Sequence, residues 1–279
     1  MRRLSRLLLK TFARSARPFL KSYGLLQTAK VFNRSALVFE PAAEAVLVIA
    51  PHMDDEIIGC GGTLAKHVAR GASVTVVFLT DGAAGGIGTA GDTAAAGGGA
   101  ARSDRLAEPL TEVRKREARL ALSVLGIQKL EFLDARDGSL SSTPELVAKL
   151  RAILRLGRFD MCYLPFFLEE HPDHRAASRI LLDAARGEEH ALQCMGYEIW
   201  TALFPNCLVN IDETVEIKRE ALSHYRSQLA EADYAHTQFG LNAYRSAAFL
   251  GGSCRYAEAF CALPLAQYRE MHDAYMHRG

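Results

Sequence analysis

Short apolar runs alternate with segments of helical length along most of this chain, and this alternation limits its fold more than any other feature. The runs are predicted strands, because strands that are covered on both faces are continuously apolar. Strands separated by helices predict an α/β fold, in which a parallel sheet carries helices on both faces. The predicted strands are Ala45–Ala50, Val74–Leu79, Lys129–Leu133 and Met161–Leu164, and the predicted helices are Gly62–Arg70, Glu112–Leu125, Pro144–Leu156 and about Pro172–Arg186.

The chain has no internal repeat and no linker that divides it. Its 279 residues can bury one sizeable core, since single α/β domains of about 250 residues are common. We therefore expect one domain over residues 41–279, preceded by an extension over residues 1–40. The net charge of +1 argues against a protein that binds nucleic acid through bulk charge.

The extension is distinguished by its basic charge. Nine Lys or Arg residues precede the first acidic residue, Glu40, and a helix drawn here has one basic and one apolar face. Lys10 and Arg14 interrupt the apolar run that a secretory signal peptide needs. Three interpretations stay open: peripheral contact with an anionic membrane through residues 1–36, a solvated helix packed across the domain, or, in a eukaryote, an organellar transit peptide.

The cysteines and the hydropathy bear on localisation. No apolar run approaches the roughly 18 residues that suggest a membrane-spanning helix. The six cysteines contain no CxxC pair and lie mostly in apolar stretches, which predicts buried free thiols and a reducing compartment. We expect a cytoplasmic protein, with contact at the inner face of the membrane if the basic segment binds lipid. The cysteines are Cys60, Cys162, Cys194, Cys207, Cys254 and Cys261.

A long segment after the second predicted strand has little capacity to pack. Asp81–Gly99 is rich in Gly, Ala and Thr, and long loops of this kind are often lids or binding loops. We expect residues 81–111 to help shape a substrate pocket, with a lid as one form of that role.

Two polar motifs each follow a predicted buried strand. Pro51-His52-Met53-Asp54-Asp55-Glu56 follows the first strand, and His171-Pro172-Asp173-His174 follows the fourth. Ligands of open α/β sheets bind beyond the carboxyl ends of the strands. Both motifs are therefore expected at the ligand-binding edge.

The residue types in these motifs suit a metal site. Catalytic zinc takes three ligands from His and carboxylate side chains and leaves a position for water. His52 and Asp55 are three residues apart and can face one point, and His174 could supply a third ligand from across a cleft. By itself, an Asp-Asp-Glu segment is typical of a solvated turn. Two motifs that each follow a buried strand place many ionisable groups at the end of apolar strands, and this favours a metal ion that pairs with them. The residues indicate a hydrolytic His/Asp metal site, whose ion could be zinc, iron(II) or another divalent metal.

The motifs resemble those of the LmbE-like, or PIG-L-type, deacetylase family. The segment PHMDDEIIGCGGTLAKH is similar to the family's PHPDDE motif and the helix after it. The similarity continues through Leu79-Thr80-Asp81-Gly82, through Arg114–Glu117 and through HPDH, and it covers about residues 44–185 well. It continues more weakly through Tyr197–Trp200, Lys218–Gln228 and Tyr256–Phe260. The resemblance implies a Rossmann-like fold and hydrolysis of an N-acetyl group on an amino sugar, which is often a glucosamine unit within a glycan, glycolipid or conjugate.

The resemblance also implies roles for individual residues. Asp54 would be the general base that acts on metal-bound water, and His171 would stabilise the oxyanion or donate a proton. Asp173 would orient a ligand histidine, and Arg114 would contact sugar, although an exposed helix charge is the alternative for Arg114. The implied zinc ligands are His52, Asp55 and His174.

The sequence departs from the family pattern at two positions. Met53 replaces the usual Pro, which removes a backbone restraint but no chemical group. Glu169 stands where some members have a tyrosine, so substrate choice is not inherited from those members. Two alternatives remain: the same site hydrolysing another amide, such as a thiol conjugate or an antibiotic acyl group, and a non-catalytic glycan- or lipid-binding protein at a membrane surface.

Overall fold

An eight-stranded sheet forms the centre of this protein. The computed structural model describes residues 37–42, 44–84, 108–187, 191–230 and 233–276. Within these residues the strands are β1 (Leu37–Val38), β2 (Ala45–Ala50), β3 (Ser73–Thr80), β4 (Lys129–Ala135), β5 (Met161–Pro165), β6 (Gln193–Tyr197), β7 (Cys207–Asn210) and β8 (Ala257–Pro264). Their order across the sheet is β1-β7-β8-β6-β5-β2-β3-β4.

The sheet is mostly parallel, and β8 makes it mixed. Strand β8 runs antiparallel to both of its neighbours, β6 and β7, whereas all the other pairs are parallel. The expectation of a parallel sheet is confirmed for β2 to β6. It does not include β8, because the predicted alternation of strand and helix ends at residue 186.

Helices cover both faces of the sheet, as expected. They are α1 (Asp55–Ala69), α2 (Leu110–Val124), α3 (Pro144–Gly157), α4 (Pro172–Ala184), α5 (Val215–Leu222), α6 (Arg226–Leu229), α7 (Tyr234–Leu250) and α8 (Leu265–Met276). Alternate side chains of a strand point to opposite faces. In β2, Val46 and Val48 pack in the core beneath α1, α2 and α5, while Leu47 and Ile49 pack in the core beneath α3, α4 and α8.

Helix α1 begins seven residues before the predicted start at Gly62. It starts at Asp55 and contains a break at Cys60, whose φ of −147° is not helical. The prediction was wrong because glycine has a low helix propensity, so the glycine-rich stretch favours a later start. Packing explains the glycines instead: a Cβ atom on Gly59 would lie 2.3 Å from the Tyr197 ring, and one on Gly62 would lie 2.8 Å from Ile211.

Two buried side chains bind the backbone on either side of the break. The carboxylate of Glu258 accepts hydrogen bonds from the backbone N–H groups of Gly62 and Thr63, at 2.9 and 2.8 Å. The Lys218 ammonium donates to the carbonyl of Ile58 at 2.9 Å. These contacts replace helical hydrogen bonds at the break. They also place the negative Glu258 at the positive start of the second helical segment and the positive Lys218 at the negative end of the first.

The described residues test some of the remaining expectations. All six cysteines are buried and free, as predicted. None of the described helices combines the length and the apolar character needed to cross a bilayer. Residues 1–36 and 85–107 lie outside the described part, so the basic extension, its membrane contact and the lid stay predictions. The division of the chain after residue 40 also stays a prediction.

Candidate metal centre and active site

The two polar motifs meet in one cleft at the carboxyl edge of the sheet. The first follows β2 and the second follows β5, and these two strands are neighbours in the sheet. The helices that follow them, α1 and α4, cover opposite faces of the sheet. Such a switch point is where open α/β sheets bind ligands. The cleft has a volume of about 270 Å³. It is lined by His52, Asp54, Asp55, Ile58, Ala84, Arg114, Asp137, Gly138, His171, Ile199, Trp200, Gln228 and Tyr234.

Asp55 lies between His52 and His174, the two histidines that are predicted to bind a metal ion together with it. Its Oδ2 atom is 3.3 Å from Nδ1 of His52, and its Oδ1 atom is 3.3 Å from Nε2 of His174. Neighbouring ligand atoms about 2.0–2.1 Å from a tetrahedral zinc ion are about 3.3–3.4 Å apart. The spacing of these side chains therefore suits a small divalent cation.

The buried ring of His174 supports the same interpretation. Among the described residues, neither of its ring nitrogens has a hydrogen-bond partner, although both are shielded from solvent. Burial alone lowers the pKa of this ring, but Asp55 and Glu169 outweigh that effect and raise the pKa to about 9. A buried ring nitrogen that faces a carboxylate can give up its proton and bind a cation in its place.

His171 lies close enough to compete for a place in the ligand set. One nitrogen from each of His52, His171 and His174 lies within 4.8 Å of the other two. The Nδ1 atom of His171 accepts a hydrogen bond from the backbone N–H of Asp173 at 3.2 Å, so this ring caps the start of α4. The geometry thus allows two ligand sets that contain His174, one with Asp55 and one with His171 as the third member, besides the group of His52, Asp137 and Asp173.

Two carboxylates hold the far side of the His52 ring. The Nε2 atom of His52 is 3.2 Å from Asp173 Oδ2 and 3.1 Å from Asp137 Oδ1. Asp173 also accepts from the backbone N–H groups of Gly138 and Leu140, at 2.8 and 2.9 Å. Burial favours a raised pKa for Asp173, but His52 and these N–H groups hold that pKa below its usual range. A contact of this kind fixes the orientation and tautomer of a ligand histidine.

Asp54 has an unusual backbone at the start of α1. Its φ is 146°, a region that residues other than glycine rarely adopt and that costs on the order of 1–3 kcal/mol. Its carbonyl accepts from the N–H groups of Ile57 and Ile58, and its own N–H donates to Glu56 at 3.2 Å. Since strained backbone clusters at functional sites, this conformation marks Asp54 as a functional candidate.

Burial and crowding change the acidity of the two carboxylic acids beside Asp55. Desolvation, with the charges of Asp55 and Glu56, raises the pKa of Asp54 well above its usual range. Burial raises the pKa of Glu56 to about 8. Glu56 is fully buried and accepts a hydrogen bond from the Tyr225 hydroxyl, which suits a structural acid rather than a metal ligand.

Arg114 lines the cleft from α2. Only 4% of its surface is exposed, so the alternative of an ordinary exposed helix charge is wrong. Its guanidinium donates to the carbonyls of Gly82 and Ala84, at 2.8 and 3.2 Å, and lies 3.9 Å from Asp137. Arg114 therefore holds the segment after β3 against the cleft, and contact with a substrate stays a prediction.

Glu169 has a defined structural role where some family members have tyrosine. Its carboxylate, with the residue 2% exposed, accepts from the backbone N–H groups of Ile199, Trp200 and Thr201, at 2.6–3.3 Å. One of its oxygens lies 3.7 Å from Nδ1 of His174. The substitution connects the second motif to a loop that forms one wall of the cleft.

Several residues that line the cleft were missed by the sequence reasoning. Asp137 lies two residues after β4, so the rule that placed the two motifs at strand ends could have found it. Gln228, whose amide donates to the Met53 carbonyl, Trp200 and Tyr234 lie beyond residue 186, where no strand had been predicted. The weaker part of the resemblance includes Trp200 and Gln228 but implies no role for either, and no local pattern marks Tyr234.

Comparisons with known proteins agree with the geometry. Residues 47–185 match the model of the family PIG-L, described as GlcNAc-PI de-N-acetylase. The chain is 30% identical over 204 residues to the diacetylchitobiose deacetylase of Thermococcus kodakarensis, a match that covers 67% of this chain and 70% of the relative. It is also 30% identical over 194 residues to a probable N-acetyl-α-D-glucosaminyl L-malate deacetylase 2 of Bacillus cereus, covering 66% and 83%.

A solved structure shares the fold. The N,N'-diacetylchitobiose deacetylase of Pyrococcus horikoshii superimposes with a TM-score of 0.65, covering 90% of this chain and 94% of that one. At 24% identity, this likeness supports the architecture, a mostly parallel sheet with helices on both faces.

Proposed function

Because this chain belongs to the PIG-L family of de-N-acetylases, we propose that it hydrolyses the acetamide group of an N-acetylated amino sugar of the N-acetylglucosamine type. The relatives in this family are deacetylases, which hydrolyse amides, so the chain is an amide hydrolase. The observation that carries the proposal is the placement of Asp54 in one cleft with the cluster of His52, Asp55 and His174.

The donor set suits a divalent metal, and we assign zinc with iron(II) as the alternative. His52, Asp55 and His174 would hold it, since a carboxylate placed between two imidazoles at 3.3 Å from each is a donor set typical of zinc. When bound, the ion would polarise the acetamide carbonyl and make nearby water more acidic. Asp173 would orient His52 through the contact at 3.2 Å.

Asp54 would act as the general base. It lines the cleft beside the proposed ligand Asp55, and its raised pKa favours accepting a proton from the attacking water. Its strained backbone, held by hydrogen bonds to the start of α1, would keep the carboxylate in place during this transfer. The proton would then be available for the amine that leaves.

His171 would serve the substrate rather than the metal. Its ring lines the cleft, and its Nδ1 atom is engaged at the start of α4, which leaves Nε2 as the nitrogen free of that contact. From this position Nε2 could stabilise negative charge on the carbonyl oxygen or donate a proton to the departing amine. Arg114 and Asp137, which line the same cleft, would contact sugar hydroxyl groups.

Release of free amine from a panel of acetamides tests the proposal. The panel contains N-acetylglucosamine in free, oligomeric, inositol-linked and lipid-linked form, together with N-acyl thiol conjugates and N-acyl glycopeptide antibiotics. Zinc-loaded protein is compared with protein treated with a chelator. We expect metal-dependent release from at least one amino sugar, and release from the other amides alone would overturn the sugar assignment.

A further inference from the structure

Glu169 is a buried carboxylate in the loop between β5 and α4. Its side chain is 1% exposed, and among the described residues its one ion-pair partner is His174. Its backbone is fixed on both sides, because its N–H donates to the Phe166 carbonyl at 3.0 Å and its carbonyl accepts from Arg175 at 2.9 Å. Burying a charge is costly unless the charge is paired and hydrogen-bonded. The groups that surround this carboxylate must therefore stabilise it.

Each described polar neighbour of the Glu169 carboxylate can donate a hydrogen bond. Three consecutive backbone N–H groups, those of residues 199–201, lie 2.6–3.3 Å from its oxygens. The fourth neighbour is Nδ1 of His174, 3.7 Å from Oε2, in a ring whose Nε2 atom faces Asp55 at the position proposed for the metal ion. A neutral histidine that binds a metal through Nε2 keeps its proton on Nδ1, so this nitrogen is a donor too. A carboxylate, which only accepts, suits all four groups.

The separation of Glu169 from His174 is longer than a hydrogen bond, whose N···O distance is about 2.9 Å. No described residue accepts a hydrogen bond from Nδ1 of His174, although solvent does not reach it. The other proposed histidine ligand has this contact already, since Nε2 of His52 lies 3.2 Å from Asp173. A metal ion bound at Nε2 of His174 would make the N–H at Nδ1 a stronger donor. We therefore expect metal binding to bring Nδ1 to hydrogen-bond distance of Glu169.

We propose that Glu169 is a positioning residue, whose carboxylate orients His174 for the metal ion and fixes the 199–201 segment in the wall of the cleft. Ile199 and Trp200 line the cleft, whereas Glu169 does not. Glu169 thus acts on the reaction through other groups, and it links the geometry of the metal site to that of the wall. This role rests on the proposed function, because it takes His174 as a metal ligand.

Glu169→Gln removes these contacts while it keeps the size of the side chain. An amide has one acceptor oxygen and one donor NH₂ group, whereas the carboxylate meets donors at both of its oxygens. Whichever way the amide turns, its NH₂ group faces a donor, either an N–H of residues 199–201 or Nδ1 of His174. We expect the full chain with this change to bind zinc about 10–100-fold more weakly, as measured by competition with a zinc chelator.

Thr201→Val is the matched control, because it loosens the contact between the same two loops without changing the carboxylate. The Thr201 hydroxyl oxygen accepts from the Glu170 N–H at 2.9 Å. The backbone N–H of Thr201, which Glu169 binds, stays in the variant. We expect this variant to keep the zinc affinity of wild type. Unchanged zinc affinity in Glu169→Gln, or an equal loss in the two variants, would overturn the role of Glu169.

Cobalt(II) in place of zinc gives a readout that a merely structural role would not change. In proton NMR spectra, the exchangeable N–H protons of histidines bound to cobalt(II) lie far outside the range of the other resonances. We expect two such signals, from Nε2–H of His52 and Nδ1–H of His174. Glu169→Gln should shift one of them and Asp173→Asn the other, while Thr201→Val should shift neither. A spectrum that Glu169→Gln leaves unchanged would contradict the contact with His174.

Urea denaturation of the metal-free proteins shows whether each variant folds. If Glu169→Gln does not fold, Glu169→Asp takes its place, because it keeps the charge but withdraws it from His174 by one methylene group. Its zinc affinity should fall as well, and an affinity equal to that of wild type would overturn the role of Glu169.

These measurements separate failure of the positioning role from failure of the proposed function. Wild type that releases amine from an acetamide, together with unchanged zinc affinity in Glu169→Gln, would remove the role of Glu169 and keep the deacetylase. Wild type that binds zinc but releases no amine from any panel member, together with weakened zinc binding in Glu169→Gln, would keep the role of Glu169 and remove the deacetylase.

Discussion

The Nζ atom of Lys218 lies 2.7 Å from Oε1 of Glu258, and both side chains are completely buried beneath the break in α1. The same ammonium donates to the Ile58 carbonyl and to Asn242 Oδ1, at 2.9 and 3.1 Å, so each of its three donors is used. The pair supports the helix whose first turn carries Asp55.

Removing one member of this pair should destabilise the fold strongly. Lys218→Met keeps the length of the side chain but leaves the Glu258 charge buried without its ion-pair partner, which costs on the order of 3–5 kcal/mol of unfolding free energy. Urea denaturation measures the loss. Glu145→Gln is the control, because its pair with Lys149 is exposed and should contribute far less. Equal stability of Lys218→Met and wild type would contradict the account.

Gly59 should not accept even one added methyl group. A Cβ atom there would lie 2.3 Å from the buried Tyr197 ring, whose hydroxyl is fixed to the Ile49 carbonyl at 3.0 Å. We expect Gly59→Ala to lower the unfolding free energy by about 1–3 kcal/mol. Gly240→Ala, in α7 with nothing within 4 Å of the added atom, should instead stabilise by about 0.4–1 kcal/mol. The same direction of change in both variants would rule out the packing argument.

Zinc content should separate the two ligand sets that contain His174. We expect His174→Ala to lose the ion and His171→Ala to retain about one per chain, while the second variant loses turnover. Elemental analysis after gel filtration measures both, with exposed His236→Ala as the control. Loss of zinc from His171→Ala would replace Asp55 by His171 in the proposed ligand set.

Asp173 should control metal affinity without binding the metal. Asp173→Asn weakens the contact that orients His52, and losses of this kind lower metal affinity about 10–100-fold. Competition with a zinc chelator measures the change. Asp183→Asn makes the same chemical change on the same helix, where Asp183 binds Ser142 and Arg179 instead. Equal affinity in the two variants would show that Asp173 has no such role.

Much of the fold and the centre of the site could be predicted because their signals are local. Continuous apolar runs such as Ala45–Ala50 mark strands buried on both faces, and a polar motif directly after such a run lies at the sheet edge. The six named residues of the two motifs do meet there. The early start of α1 was missed because glycine lowers helix propensity, while the packing that requires glycine involves Tyr197, far away in the sequence.

The rest depends on contacts between distant residues. Strand β8 pairs in the antiparallel sense between β6 and β7, an arrangement set by the whole sheet rather than by its own eight residues. Trp200 becomes a wall of the cleft only because Glu169, thirty-one residues earlier, binds its backbone. No pattern within either segment contains that information.

The most direct test of the central proposal compares wild type with Asp54→Asn at equal zinc content. Acetate release from N,N'-diacetylchitobiose is measured for both, with Glu170→Gln, an exposed residue beside the second motif, as control. The account predicts that Asp54→Asn keeps its zinc and its fold but releases acetate about 10²–10⁴-fold more slowly, while the control matches wild type. Near-wild-type release by zinc-loaded Asp54→Asn would contradict it.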